Sequence, residues 1–425
     1  MPKRKIVLIS SSPFPHGDNI TDGPGYRAWN LFQRFSNKHE IVILSLYESY
    51  HKNIEKEFTV SEDNYLIKCI SHKPKKVAKA VSDERPDTLY LPWSATPFIA
   101  RVTQKIPTIV DYVGATLLEQ LTSFGTVPTD FLRLKMKSFW IGDFLMTAGS
   151  RERYYLIGLL VSSKRLCSLK RKLSASLIHH IPMTPPSVPP VSRKMVIDKQ
   201  RGELVILIAG AFLPWYDYQT LFRALNTLVK KGRKNFKCVF FGGNPRNKHF
   251  EKLILRMGYN SLLKNNLVFT GIVPFKERGN YYLQSDVAVN IPCNTVEDEL
   301  SVRTRIMDYV WANLPIITPA RDEHSEMVIN NGGGFKYLGS DPVSLSTVLQ
   351  KLMDKQGFQK ITKAKKNMKE IYQKTLDIEN ALKPLETFIN EPYVDPARSS
   401  PRQFLPEVLL WGRDVLRWLK RGAVQ

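Results

Sequence analysis

Three charged residues lie close together in LSVRTRIMDYVWANLPIIT, residues 300–318: Arg303, Arg305 and Asp308. Around them Met307, Val310, Trp311 and Leu314 recur at helical spacing, as the buried face of a helix would. Ser301 is a good N-cap residue, which would put Arg303, Thr304 and Arg305 in the first turn. Free N–H groups at a helix start attract anions, and arginines beside them add charged forks. Basic residues there oppose the helix dipole, a small cost that an arriving phosphate would cancel. A surface salt bridge between Arg305 and Asp308 explains the same residues without a ligand. The preceding loop, PCNTVEDEL, carries Glu297, Asp298 and Glu299. Carboxylates fixed there could accept hydrogen bonds from sugar hydroxyls.

Two further stretches have the same design, a loop after an apolar run and before a helical pattern. GAFLPWYD, residues 210–217, offers Gly210 for close backbone approach, Trp215 as a flat face for a base or sugar, and Asp217. Asp217 reads more simply as a plain helix cap. SPFPHGDNITDGPGYR, residues 12–27, brings Gly23 and Gly25 to a helix start, where a phosphate could sit. It matches neither the dinucleotide fingerprint nor the P-loop.

The elements that must position these residues alternate. Strand-like runs at Ile6–Ser10, Ile41–Ser45, Thr88–Leu91 and Thr108–Tyr112 surround a helix at Tyr26–Phe35. The alternation restarts with strands at Leu204–Gly210, Cys238–Gly243, Leu267–Gly271, Asp286–Ile291 and Pro315–Pro319. Helices are expected at Tyr218–Lys231, Asn247–Gly258 and from Ser325. This is an α/β pattern, two Rossmann-like doubly wound domains facing across a cleft. Between them IPMTPPSVPPVSRK holds five prolines, which suit neither a helix nor a central strand. The expected division is 1–180, a Pro-rich linker 181–198, then 199–375, with C-terminal helices in 376–425 that return to the first domain or stand apart. No internal sequence repeat is visible.

The 425 residues are 43% apolar and carry a formal net charge of +23, which implies an acidic partner such as phosphate-bearing substrates, nucleic acid or an anionic membrane. Nucleic-acid binding is disfavoured, because no recognised motif appears and the aromatic residues form no stacking platform. Cys69, Cys167, Cys238 and Cys293 have no metal or CxxC spacing and read as buried thiols of a reducing, cytoplasmic compartment. No metal site or resident cofactor is expected. PRQFLPEVLLWGRDVLRWLKRG, residues 401–422, puts Leu405, Val408, Trp411, Val415 and Trp418 near one helical face among basic residues. Such a helix suits an anionic membrane surface, or docks on the protein itself.

TDGPGYRAWNLFQRFSNKHEIVI, GAFLPWYDYQTLFRAL, FTGIVPFKERGNYYLQSDVAV and EDELSVRTRIMDYVWANLPIIT together, in this order, resemble the GT-B glycosyltransferases. The resemblance is to the large retaining family marked by an E-x7-E pattern, the glycosyltransferase family 4 type. PTIVDYVGATLLEQL and DFLMTAGSRERYYLIGLL resemble its members that act on bacterial surface polysaccharides. The resemblance implies a nucleotide diphosphate-sugar donor, a glycan or polyprenyl-linked acceptor, and a retained anomeric configuration. Asp308 falls where the family has its second glutamate, which holds the nucleotide ribose. Glu297 and Glu299 both fit the first acidic position imperfectly. The lysine that many members carry after the start of the first donor-domain helix has no clear counterpart, and Arg303 and Arg305 would replace it at the diphosphate. Asp111, ending a first-domain strand, is the expected polar contact at the reacting centre, or a plain turn residue; His16 ranks below it. A GT-B sugar-nucleotide epimerase is the alternative enzyme.

Overall fold

The computed structural model describes residues 2–10, 14, 21–46, 58–62, 65–98, 105–166, 177–243, 247–259 and 261–399. His16, Cys167 and the basic 401–422 segment lie outside them. Two parallel-sheet α/β domains make up the molecule.

The first sheet has eight strands in the order β3-β4-β2-β1-β5-β6-β7-β8. They are β1 (Lys5–Ser10), β2 (Glu40–Leu46), β3 (Phe58–Glu62), β4 (Tyr65–Ile70), β5 (Thr88–Pro92), β6 (Thr108–Tyr112), β7 (Phe144–Thr147) and β8 (Ile178–His180). All neighbours run parallel except β3 and β4. The helices are α1 (Gly23–Phe32), α2 (Pro74–Glu84), α3 (Thr116–Phe124), α4 (Thr129–Ser138) and α5 (Ser150–Ser162). Ile6 to Ile9 are buried, which is why β1 reads as an unbroken apolar run: helices cover both faces of a parallel sheet.

The second sheet is wholly parallel, in the order β11-β10-β9-β12-β13-β14. Its strands are β9 (Leu204–Ala209), β10 (Phe236–Phe241), β11 (Leu267–Gly271), β12 (Val287–Val289), β13 (Ile316–Thr318) and β14 (Gly334–Lys336). Its helices are α6 (Tyr218–Lys230), α7 (Lys248–Tyr259), α8 (Arg278–Leu283), α9 (Val296–Leu300), α10 (Thr304–Trp311), α11 (Glu323–Asn330), α12 (Pro342–Leu352) and α13 (Lys355–Leu376). The strand order reverses direction at β9, between β10 and β12, and a crevice opens beyond such a point.

The proline-rich connection forms neither helix nor strand and is strapped to the second domain. Tyr372 Oη donates to the carbonyls of Pro186 and Ser187 at 2.9 and 3.0 Å, and Trp311 Nε1 to that of Val188 at 2.6 Å. The prolines leave these carbonyl acceptors intact, and the connection also donates, from Arg193 N and Lys194 N to Asn280 Oδ1 at 2.7 and 3.4 Å. The last α-helix among the described residues, α14 (Glu379–Asn390), crosses back and buries Leu382, Leu385, Phe388 and Ile389 in the same core as Phe32 and Phe144 of the first domain. Arg165 and Asp395 pair at 2.8 Å, which fastens the segment after it.

Candidate functional site

The N-terminus of α1 and the N-terminus of α10 meet across the seam between the domains. Asp22 caps α1 by accepting from Gly25 N at 3.1 Å, and Pro24 occupies the first turn, where a missing N–H is harmless. A Cβ on Gly23 would lie 3.0 Å from Thr304 Cγ2, so glycine sets how closely the helices approach. Gly25 is buried within this junction.

Beneath them, at the mouth of β9, two glycine turns touch. Gly242 has φ +132 and a Cβ there would fall 2.1 Å from Gly210 O; Gly210 itself has φ +100. Arg305 lies directly over this turn. Its guanidinium is 3.0 Å from where a Gly210 Cβ would be, stands 4.0 Å over the Tyr216 ring, and donates from Nη2 to Ala211 O at 3.3 Å. The residue is only 9% exposed, and no carboxylate among the described residues pairs with it. Burial works against its charge, while the neighbouring phenols of Tyr216, Tyr309 and Tyr218 favour it, with the balance upward. A buried cation without an anion is costly, so this position is prepared for one.

Arg303 fares differently from its expected role. It occupies the N-cap position of α10, without a side-chain cap, and its fork is spent on Glu297 (Nη1 to Oε1, 2.9 Å) and Asp298 (Nη2 to Oδ1, 2.5 Å). All three are buried. Glu297 and Asp298 are therefore saturated by an internal partner. Glu299, one residue on, turns the other way, is half exposed and pairs with Arg321.

Ser301 is not the cap of α10. It follows α9 in extended conformation, and its Oγ accepts from Ala115 N of the first domain at 2.9 Å. Asp308 does not pair with Arg305; it accepts from Tyr282 Oη at 3.1 Å and Arg278 Nε at 3.5 Å. Arg278 is boxed by Phe275 and Trp311, whose ring centroids lie 3.4 and 4.3 Å from its Cζ. Tyr26 of the first domain joins them, and burial followed by the Asp308 charge holds its phenol well above the ordinary range. Asp217 takes the plainer of its two readings, capping α6 from Thr220 N and Oγ1 at 2.9 and 2.7 Å. Trp215 is half buried, and its carbonyl accepts from Cys293 N at 3.2 Å. Asp111 faces the interior: it is 1% exposed and bound by Arg27 Nε and Tyr90 Oη, each at 2.8 Å. Both bonds fall on Oδ2, and Oδ1 is buried without a hydrogen-bond partner.

Two carboxylates unassigned from sequence hold the seam. Glu152 Oε1 accepts from Gly114 N at 2.8 Å and, across the seam, from Val302 N at 3.0 Å. Its Oε2 accepts from Ala148 N and Gly149 N at 3.1 and 3.2 Å. Burial pushes its pKa up to about 7, against the pull of these N–H groups. Glu323, from α11, accepts from Ser150 N and Ser150 Oγ at 2.8 and 2.6 Å and so caps α5 of the other domain. Glu152 lies within the DFLMTAGSRERYYLIGLL resemblance, the one signal that could have marked it; Glu323 carries none.

Two Rossmann-like domains, with a glycine-lined turn and an unpaired arginine where the second sheet changes direction, define a GT-B fold. Residues 193–374, the second domain, match the family model described as glycosyl transferases group 1, which makes this part of the chain a glycosyltransferase domain. Similar solved structures include the sucrose-phosphate synthase of Thermosynechococcus elongatus, at TM-score 0.68 and 13% identity, covering 92% of this chain and 99% of that one. Anabaena HepE in complex with UDP and glucose aligns at TM-score 0.64 and 12% identity over 91% of this chain and 100% of its own. Trehalose-6-phosphate synthase OtsA aligns at TM-score 0.65 and 10% identity over 92% and 99%. At these identities the likeness to each is one of fold. No curated protein sequence matches this one. Among the described residues no helix is long and apolar enough to cross a membrane.

Proposed function

We propose that the protein transfers a sugar from a nucleotide diphosphate-sugar to a hydroxyl of a glycan or lipid-linked glycan, with retention, in surface polysaccharide synthesis. The observation that carries the donor half is Arg305, a buried guanidinium with no acidic partner over the Gly210 turn and beside two helix N-termini. A diphosphate placed there would give that charge its partner. HepE, which shares the fold, was solved with UDP-glucose, so UDP-sugars are the first donors to try.

In the reaction the bond from the sugar C1 to the leaving phosphate oxygen breaks, and the electron pair leaves with the diphosphate. The acceptor oxygen forms its bond to C1, and its proton passes to the departing phosphate. Arg305 and the N–H groups starting α1 and α10 meet the charge that grows on the leaving group. The donor is a substrate, and no resident cofactor enters the proposal. Asp308, in its Arg278–Tyr282 setting, is the proposed ribose contact, consistent with the resemblance. The basic 401–422 segment is the proposed contact with an anionic leaflet, each basic residue near it adding about 1 kcal/mol.

Turnover of a nucleotide-sugar panel tests the reading. Release of nucleotide from at least one donor, accelerated by a lipid-linked acceptor, is expected. No donor binding, together with tight salt-sensitive binding of DNA or RNA, would replace it with the nucleic-acid alternative. Loss of residues 401–425 should weaken binding to vesicles containing anionic lipid; undiminished binding removes the tail from the proposal.

A further inference from the structure

Beside α9, whose Glu299 and Leu300 line it, a cavity of about 560 Å³ opens at the ends of β13 and β14. It is separate from the Gly210 turn: its walls come from the loops after β12, β13 and β14 and from the start of α5. We propose that it is a second carbohydrate-binding site, which takes a sugar bearing one phosphate or carboxylate.

The size is that of a small-ligand site, which spans about 300–1,000 Å³. The lining supplies what a sugar requires. Arg151 pairs with Glu326 at 2.6 Å and Arg321 pairs with Glu299, all four at least partly exposed. Two such pairs present donors and acceptors side by side, as ring hydroxyls need. Leu338, 68% exposed, and Pro319 offer an apolar wall for the C–H face of a ring. The pairs cancel in charge, but Lys336 has no carboxylate partner among the described residues. That surplus selects one anionic group on the ligand. Asn294 and Ala320, both in the lining, hold the left-handed region at φ +62 and +57, which costs a non-glycine residue energy and recurs at binding sites.

Arg151 is the first domain's contribution. It also donates to Arg321 O at 2.8 Å across the seam. A ligand seated among these groups therefore joins the two domains.

Calorimetric titration with glucose 6-phosphate, glucuronate, glucose and inorganic phosphate tests the site. At least one anionic sugar should bind, with glucose and inorganic phosphate roughly 10-fold weaker or more. Lys336→Ala, an exposed change, should weaken that binding about 10-fold and leave UDP affinity unaltered. The proposal is overturned if neither anionic sugar binds, if inorganic phosphate binds as tightly, or if Lys336→Ala changes nothing. It is overturned equally if Lys336→Ala lowers UDP affinity, since the cavity would then belong to the donor site. Failure here leaves the donor reading standing, because UDP is measured separately.

Discussion

The interior of the first domain and the mouth of the second sheet each bury an arginine, and they treat it in opposite ways. Arg27 has the Asp111 carboxylate at 2.8 Å and the Ile181 carbonyl at 2.7 Å, with both side chains almost wholly buried. Arg305, nearly as enclosed, has one carbonyl, one aromatic face and no carboxylate. The first charge is neutralised within the chain, and the pair belongs to stability. The second is neutralised only when an anion arrives, and so belongs to binding. Arg303, two residues from Arg305, falls on Arg27's side of this division, since Glu297 and Asp298 neutralise it.

The largest effect should come from breaking the paired arginine. Asp111→Asn leaves Arg27 buried with a neutral partner and should cost about 3–5 kcal/mol of stability, read from urea unfolding. A smaller loss would mean that Asp111 is not the partner Arg27 depends on. Arg305→Ala should do the reverse. UDP affinity should fall roughly 10- to 100-fold, with the urea midpoint unchanged or raised, because the lost charge had no partner. Destabilisation with intact UDP binding would erase the contrast between the two regions.

A third change concerns the seam that brings both regions together. Glu323→Ala removes the cap that α11 provides to α5 and should cost about 1–2 kcal/mol. The same loss in Glu323→Gln would show that the charge matters, since the amide keeps an acceptor.

The smallest effect is a pH dependence. Burial raises the pKa of Glu119 and of Glu152 to about 7, and lowers that of Lys135 to about 7. For the two acids the folded state holds the proton more tightly than the unfolded chain. Their stabilisation is full below the unfolded carboxyl range and is lost as pH rises toward 7. For Lys135 the folded state holds its proton less tightly, so stability recovers as pH rises from 7 toward the ordinary lysine value. Between pH 5 and 7 the urea midpoint should therefore fall, and Glu119→Gln should flatten that limb. An equal slope in the variant would remove Glu119 from the account.

Much of the architecture was legible in the residues. Both alternations of strand and helix are present, and Thr108–Tyr112 and Leu267–Gly271 have the expected bounds. Buried parallel strands announce themselves as unbroken apolar runs, and glycine and proline mark the turns between them. The antiparallel edge pair β3–β4 carried no such signal, because an edge strand needs no continuous apolar run. In the candidate site, local spacing correctly put Arg305 in the first turn of a helix and offered capping as the plainer reading of Asp217.

What spacing could not settle was which charges find partners. Arg303 and Arg305 are equivalent in sequence, yet one turns into Glu297 and Asp298 and the other over Gly210. Asp308 goes to Arg278, thirty residues away, and Asp111 to Arg27, eighty-four away. By itself the sequence determined the layered α/β plan, because periodicity and turn chemistry are local properties. Only the tertiary structure decided which buried charge stays unpaired, because pairing depends on groups that folding alone brings within a hydrogen bond of one another.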